Sequence, residues 1–124
     1  MARIEDICLT LDQSKELEIK KTDTIFSYVG CITSWDGKEI DEPKYRLMES
    51  KKSLAVQGSE KFDTIPTLTN SEMLLMLPQR YNDSNLQVIH TGTAWIIAYY
   101  GMETHNILLR DGLFEMIKKL IYCG

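Results

Sequence analysis

Cysteine, arginine and long apolar runs are all scarce in this chain, and each scarcity removes a class of protein. The three cysteines, Cys8, Cys31 and Cys123, are odd in number and far apart. A disulfide framework in a secreted chain shows an even count, so these read as reduced thiols. No apolar stretch approaches the ~20 residues needed to span a bilayer, so no membrane partner is expected. The opening MARIEDICLT has Glu5 and Asp6 where a secretory leader carries an apolar run, and Cys123, second from the end, does not fit the prenylation pattern. The expected location is cytoplasmic, which makes Asn82-Asp83-Ser84 a chance glycosylation match. Only four arginines occur, Arg3, Arg46, Arg80 and Arg110, and Lys20-Lys21, Lys51-Lys52 and Lys118-Lys119 are isolated pairs. The formal charge is -4, from 14 basic and 18 acidic residues, so no nucleic-acid partner is indicated.

Motifs that carry chemistry are equally scarce. The seven glycines are scattered without GxGxxG or Walker spacing, so no phosphate cradle is indicated. Neither His90 nor His105 belongs to an HExxH motif or to a zinc-spaced Cys/His set. The acidic loop residues Asp36, Glu39, Asp41 and Glu42 do not match an EF-hand. Cys31 lies in an apolar segment and Cys123 at the wrong helix end for thiolate activation, so both read as small hydrophobes. Cys31 and His90 could meet only through the sheet order, which the sequence leaves open. No catalytic residue, no metal ligand and no cofactor is assigned.

What is present is an ordinary globular composition. The chain has 124 residues, 44% hydrophobic and 26% charged, which suits one domain over residues 1–124 with a weak hinge near 58–63. Ile4–Leu9 reads as a strand or cap. Thr10 and Gln13 have capping-box spacing, predicting a mostly solvated helix to about Lys21. Thr24–Thr33 is β-branched and aromatic, hence a strand. Asp36-Gly37 predicts a turn, residues 38–44 a loop, Tyr45–Glu49 a strand and Ser53–Gln57 a further short one.

The C-terminal half is clearer. Thr69 and Glu72 form a capping box and Leu68 and Met73 a hydrophobic staple, so a deeply packed helix starts after Thr69 and is ended by Pro78. Met73 and Met76 there, and Met116 later, read as fillers of core gaps, with a Met-lined ligand groove as the less favoured alternative. Tyr81–Asn85 is rich in turn residues. Leu86–Thr91 and Thr93–Tyr100 predict a hairpin around Gly92. A two-residue loop, whether Thr91-Gly92 or Gly92-Thr93, puts Leu86, Val88, His90, Trp95, Ile97 and Tyr99 on one face. Gln87, Ile89, Thr91, Ala94, Ile96, Ala98 and Tyr100 take the other, small and aliphatic as expected under a helix. His105–Leu108 predicts either an edge strand or a direct lead into the last helix. That helix carries Leu109, Leu113, Met116, Ile117, Leu120 and Ile121 at helical spacing. Gly112 marks either close backbone packing or the helix start.

The runs IPTLTNSEMLLMLP, LQVIHTGTAWIIAYYG and LLRDGLFEMIKKLIYC form a pattern of Pro66, Thr67, Leu68, Leu77, Pro78, Trp95, Tyr99, Asp111, Leu113 and Met116. It resembles small uncharacterised proteins of gut-type bacteria and their phages and mobile elements, and departs from them at Gly112. The resemblance covers about half the chain and implies a bacterial or phage accessory context, with no catalytic residues to carry over.

The expected fold class is α+β: a small, mainly antiparallel sheet with two helices packed on one face. The expected function is a non-enzymatic accessory protein that binds protein, foremost itself as a homodimer, through His90, Trp95, Ile97 and Tyr99 on the aromatic sheet face. That face is ordinary core instead if the N-terminal segment covers it. Two alternatives stand beside this reading. One is a small-ligand binder or small enzyme with a pocket around His90, Trp95 and Tyr99. The other is a phage-type inhibitor of a host protein.

Overall fold

Thr10 and Thr69 each start a helix in the same way. The hydroxyl of Thr10 accepts from Gln13 N–H at 3.1 Å while Gln13 Oε1 accepts from Thr10 N–H at 2.9 Å. Thr69 and Glu72 repeat the exchange at 3.2 and 3.0 Å. Two otherwise orphaned backbone donors are satisfied at each helix start, as the spacing predicts. The computed structural model describes residues 7–19, 23–52, 54–81 and 83–122, with side chains to Leu120. Half of the expected Ile4–Leu9 element, residues 4–6, lies outside the described residues; Cys8 makes an isolated antiparallel bridge with Thr69.

The protein is α+β, with three antiparallel sheets. It divides into two compact units, Thr10–Thr67 and the pair of segments Met1–Leu9 and Leu68–Gly124. Lys61–Pro66, read from sequence as partly a polar connection, is a strand.

The unit Thr10–Thr67 holds α1 (Leu11–Leu17), β1 (Phe26–Thr33), β2 (Tyr45–Glu49) and β3 (Lys61–Pro66), in sheet order β2-β1-β3. Helix α1 stops at Leu17, short of the predicted Lys21, because Glu18 turns into the left-handed region with φ 48° and donates to Lys15 C=O. The predicted strand at Ser53–Gln57 does not form over residues 54–57, which are exposed and have no strand alongside. Its place is taken by β3, whose alternation is masked in the sequence by Lys61 and Asp63. Among the described residues, the buried side chains of this unit are polar: Ser14, Thr24, Ser27 and Thr67. Ser14 donates to Thr67 Oγ1 at 2.8 Å, tying the helix to the residue after β3.

The second unit contains α2 (Asn70–Met76), β4 (Arg80–Tyr81), β5 (Ser84–Asn85), β6 (Gln87–His90), β7 (Trp95–Tyr99), β8 (Met102–Asn106) and α3 (Leu109–Tyr122). Strands β4 and β5 form a small ribbon and β6-β7-β8 a meander. Leu9 N–H donates to Leu68 C=O at 3.0 Å, so the segment ahead of α1 joins this unit at the start of α2. The staple residues Leu68 and Met73 are buried with Cys8, Leu9, Leu77, Leu113, Phe114, Met116 and Ile117. Helix α3 packs on β7 and β8, whereas α2 packs chiefly on α3. The expectation of two helices side by side on one sheet face is therefore corrected. Helix α2 is also less deeply packed than expected: Leu75 is 88% exposed and Met76 half-exposed. A two-turn helix lying on another helix buries only one stripe, so its remaining apolar positions face water.

Candidate functional site

Residues directly opposed across antiparallel strands share a face of the sheet. The register Val88–Ile97 and His90–Trp95 gathers Val88, His90, Trp95, Ile97 and Tyr99 on one face, with Thr104 added from β8. Gln87, Ile89, Ile96, Ala98, Glu103 and His105 form the other. The hairpin loop is Gly92-Thr93, closed by Thr91 N–H to Ala94 C=O at 2.9 Å, and Gly92 has φ 99°, which a side chain would resist.

Face membership agrees with the sequence reading, but the covered face is the opposite one. Helix α3 lies on the Ile97 face, close enough that a Cβ on Gly112 would stand 3.1 Å from Ile97 Cδ1. Thr104 is buried beneath it and donates to Gly112 C=O at 3.2 Å. Ile97 is fully buried and Tyr99 is 2% exposed. The physical reason is size. Covering Ile97 and Tyr99 removes more apolar area from water than covering Ile96 and Ala98. The Tyr99 hydroxyl donates to Pro78 C=O, and its ring centroid is 5.7 Å from that of Tyr81. Burial holds the Tyr99 phenol above its ordinary value of 10.0.

Two of the four expected site residues are thus core, and two remain accessible. His90 is exposed and Trp95 half-buried at the hairpin end, with ring centroids 4.6 Å apart. Trp95 and Tyr99 are separated along β7 by roughly 13 Å at ~3.3 Å per residue. Tyr99, 2% exposed, offers little surface beside His90 and Trp95. Val88 and Ile89 extend the accessible surface along β6, all of whose residues are exposed.

The two edges of this sheet differ. On β8 the Glu103 carbonyl accepts from Lys119 Nζ at 3.0 Å, and the Glu103 carboxylate lies 3.0 Å from His105 Nε2. On β6 the Leu86 N–H donates to Gln79 C=O at 2.9 Å, but beyond it no described residue pairs with the outer side of the strand. The outer strands of the two three-stranded sheets are β2, β3, β6 and β8. Among them only β6 has neither a charged residue nor a proline, the usual protections of an edge.

An apolar cleft of about 130 Å³ opens at the end of α2, lined by Met76, Leu77, Pro78, Tyr81, Ile117 and Leu120. Sequence reasoning ranked a Met-lined groove below core filling, because it assigned Met76 and Leu77 together to a deeply packed helix. The signal was available in a two-turn helix apolar on most sides, which cannot bury every apolar position. Cys31 donates its thiol to Thr33 C=O at 3.1 Å in the other unit from His90. Among the described residues no three His, Cys, Asp or Glu side chains gather as metal ligands would. Among them no helix is long and apolar enough to cross a membrane. Compared with protein-family models, characterised proteins and solved structures, the chain shows no significant match.

Proposed function

We propose that this protein works by binding protein, and first a second copy of itself, through the β6–β7 hairpin. The observation that carries this reading is the contrast along that hairpin. Ile97 and Tyr99 are buried, whereas Val88 is 36% and Ile89 47% exposed, beside the accessible pair His90 and Trp95. A tryptophan with a polar neighbour, set among exposed aliphatic side chains, is the composition that interfaces favour. In this reading the protein is an accessory module of bacterial or phage origin with no chemistry of its own. Its interface comprises Val88, Ile89, His90 and Trp95 rather than the four residues named from sequence.

Native mass spectrometry and light scattering over a concentration series test it. The expected result is a concentration-dependent dimer that Trp95→Ser shifts to monomer while circular dichroism is unchanged, because Trp95 is only half-buried. A wild-type monomer at every concentration removes the self-association reading.

The small-ligand alternative moves to the cleft at Met76, Leu77, Pro78, Tyr81, Ile117 and Leu120. Its volume is close to that of an engineered apolar cavity of ~150 Å³ that holds benzene, so one ring or a short acyl chain is the size class. Saturable quenching or enhancement of tyrosine and tryptophan fluorescence by small aromatics tests it, and loss of that response in Ile117→Trp would place the ligand there.

A further inference from the structure

We infer that the second copy adds to the sheet strand to strand, β6 against β6 in antiparallel fashion, about a twofold axis passing beside Ile89. This rests on the self-association reading above and specifies its geometry. The hydrogen-bond alternation of an antiparallel ladder supplies the register. Thr91 N–H bonds to Ala94 C=O, so counting back along the hairpin, Ile89 and Gln87 turn their backbone groups toward β7. Leu86, Val88 and His90 turn theirs outward. The bond from Leu86 N–H to Gln79 C=O agrees with that count, because it is an outward donor already used. The N–H and C=O of Val88 and His90 remain on the outer side, with no described residue paired to them.

Two outward residues flanking one inward residue are self-complementary under a twofold axis. With Ile89 opposite Ile89 of the second copy, Val88 of each chain stands opposite His90 of the other. Each such pair exchanges two backbone hydrogen bonds, so the three-stranded meanders become one six-stranded antiparallel sheet. The two Ile89 side chains meet in the non-hydrogen-bonded position, where opposed side chains approach most closely. Strand β8 is unsuited to the same use. Lys119 already occupies the outward Glu103 carbonyl, so a second strand would have to displace that bond. The contact is small, so association is expected to be weak and reversible.

The test has three arms. Wild-type mass against concentration comes first, and a monomer throughout overturns this inference together with the self-association reading. Next, Ile89→Cys is oxidised and mapped by non-reducing digestion. Opposed Cα atoms at such a position lie at roughly 4.5 Å, within disulfide range, so peptides joined position 89 to position 89 are expected. Gln87→Cys is the control: its two copies would be separated by about 13 Å along the strands, and no such link is expected. Last, Val88→Pro removes an outward N–H without touching a bond to β7, a place where an edge strand tolerates proline. It is expected to weaken the dimer by at least about tenfold. If wild type dimerises but position 89 does not link, edge pairing is wrong and self-association stands. Should Val88→Pro fail to fold, the cysteine mapping decides alone.

Discussion

The ring of Tyr45 covers Gly30: a Cβ on that glycine would stand 2.8 Å from Tyr45 Cδ1, while the Tyr45 hydroxyl donates to Asp63 Oδ2 at 2.7 Å. Tyr45 is on β2, Gly30 on the central β1 and Asp63 on β3, so one side chain spans the sheet. Lys15 of α1 adds a cationic cover 5.3 Å from the ring centroid. A glycine in a strand is weak by itself, and an aromatic side chain laid over it restores packing.

Gly30→Ala is therefore expected to destabilise the protein by about 1–3 kcal/mol, the usual range for overpacking. Urea unfolding measures it. The displaced atoms belong to Tyr45, so Gly30→Ala combined with Tyr45→Ala should cost less than the sum of the two single changes. Strict additivity would show that the ring is not what excludes a Cβ.

Gly112 and Ile97 form a second coupled pair. Alanine in place of a helical glycine gains about 1 kcal/mol of intrinsic helix preference. Here the gain is opposed by Ile97 Cδ1 at 3.1 Å from the new Cβ, in a fully buried side chain with little room to move. Gly112→Ala alone should lower the melting temperature. In an Ile97→Val background, which lacks that methyl, the same change should raise it. A loss of equal size in both backgrounds would place the obstruction elsewhere, with Thr104 Oγ1 the next atom at 3.4 Å.

Alkaline pH should weaken the fold. Burial raises the Tyr99 phenol above 10.0, and the hydrogen bond to Asp63 raises that of Tyr45. The folded chain then keeps protons that the unfolded chain has lost, so stability is full below about pH 10 and falls as pH rises through the folded values. Urea midpoints measured from pH 8 to 11 should decline above about pH 10. Tyr99→Phe has no phenol to titrate and should show a shallower decline, whatever its starting stability. An unchanged slope would mean that Tyr99 does not contribute.

Local chemistry was legible in the sequence wherever the decisive partners were near neighbours. Thr10 with Gln13 and Thr69 with Glu72 act within one helical turn, and the structure places each as its spacing implies, while Leu68 and Met73, five residues apart, are both buried. The sharing of a face by Val88, His90, Trp95, Ile97 and Tyr99 is also a consequence of short range, since either two-residue loop around Gly92 and a period of two give it; the choice of Gly92-Thr93 came from the structure. The end of α1 at Leu17 was not legible, because nothing in the Glu18 side chain demands a left-handed backbone. Neither was β3, whose Lys61 and Asp63 read as a polar connection until β1 supplies its ladder.

By itself, then, the sequence determined the two capped helix starts and which hairpin residues stand together. Only the tertiary structure decided which hairpin face is covered, because that choice compares the apolar area of Ile97 and Tyr99 with that of Ile96 and Ala98 against a helix arriving from Leu109. It likewise decided that, of the two edges of the meander, β8 carries a lysine on one outward carbonyl and β6 does not. Backbone N–H and C=O groups are the same at every residue, and only the placement of Lys119 at one edge and of no described residue at the other distinguishes them.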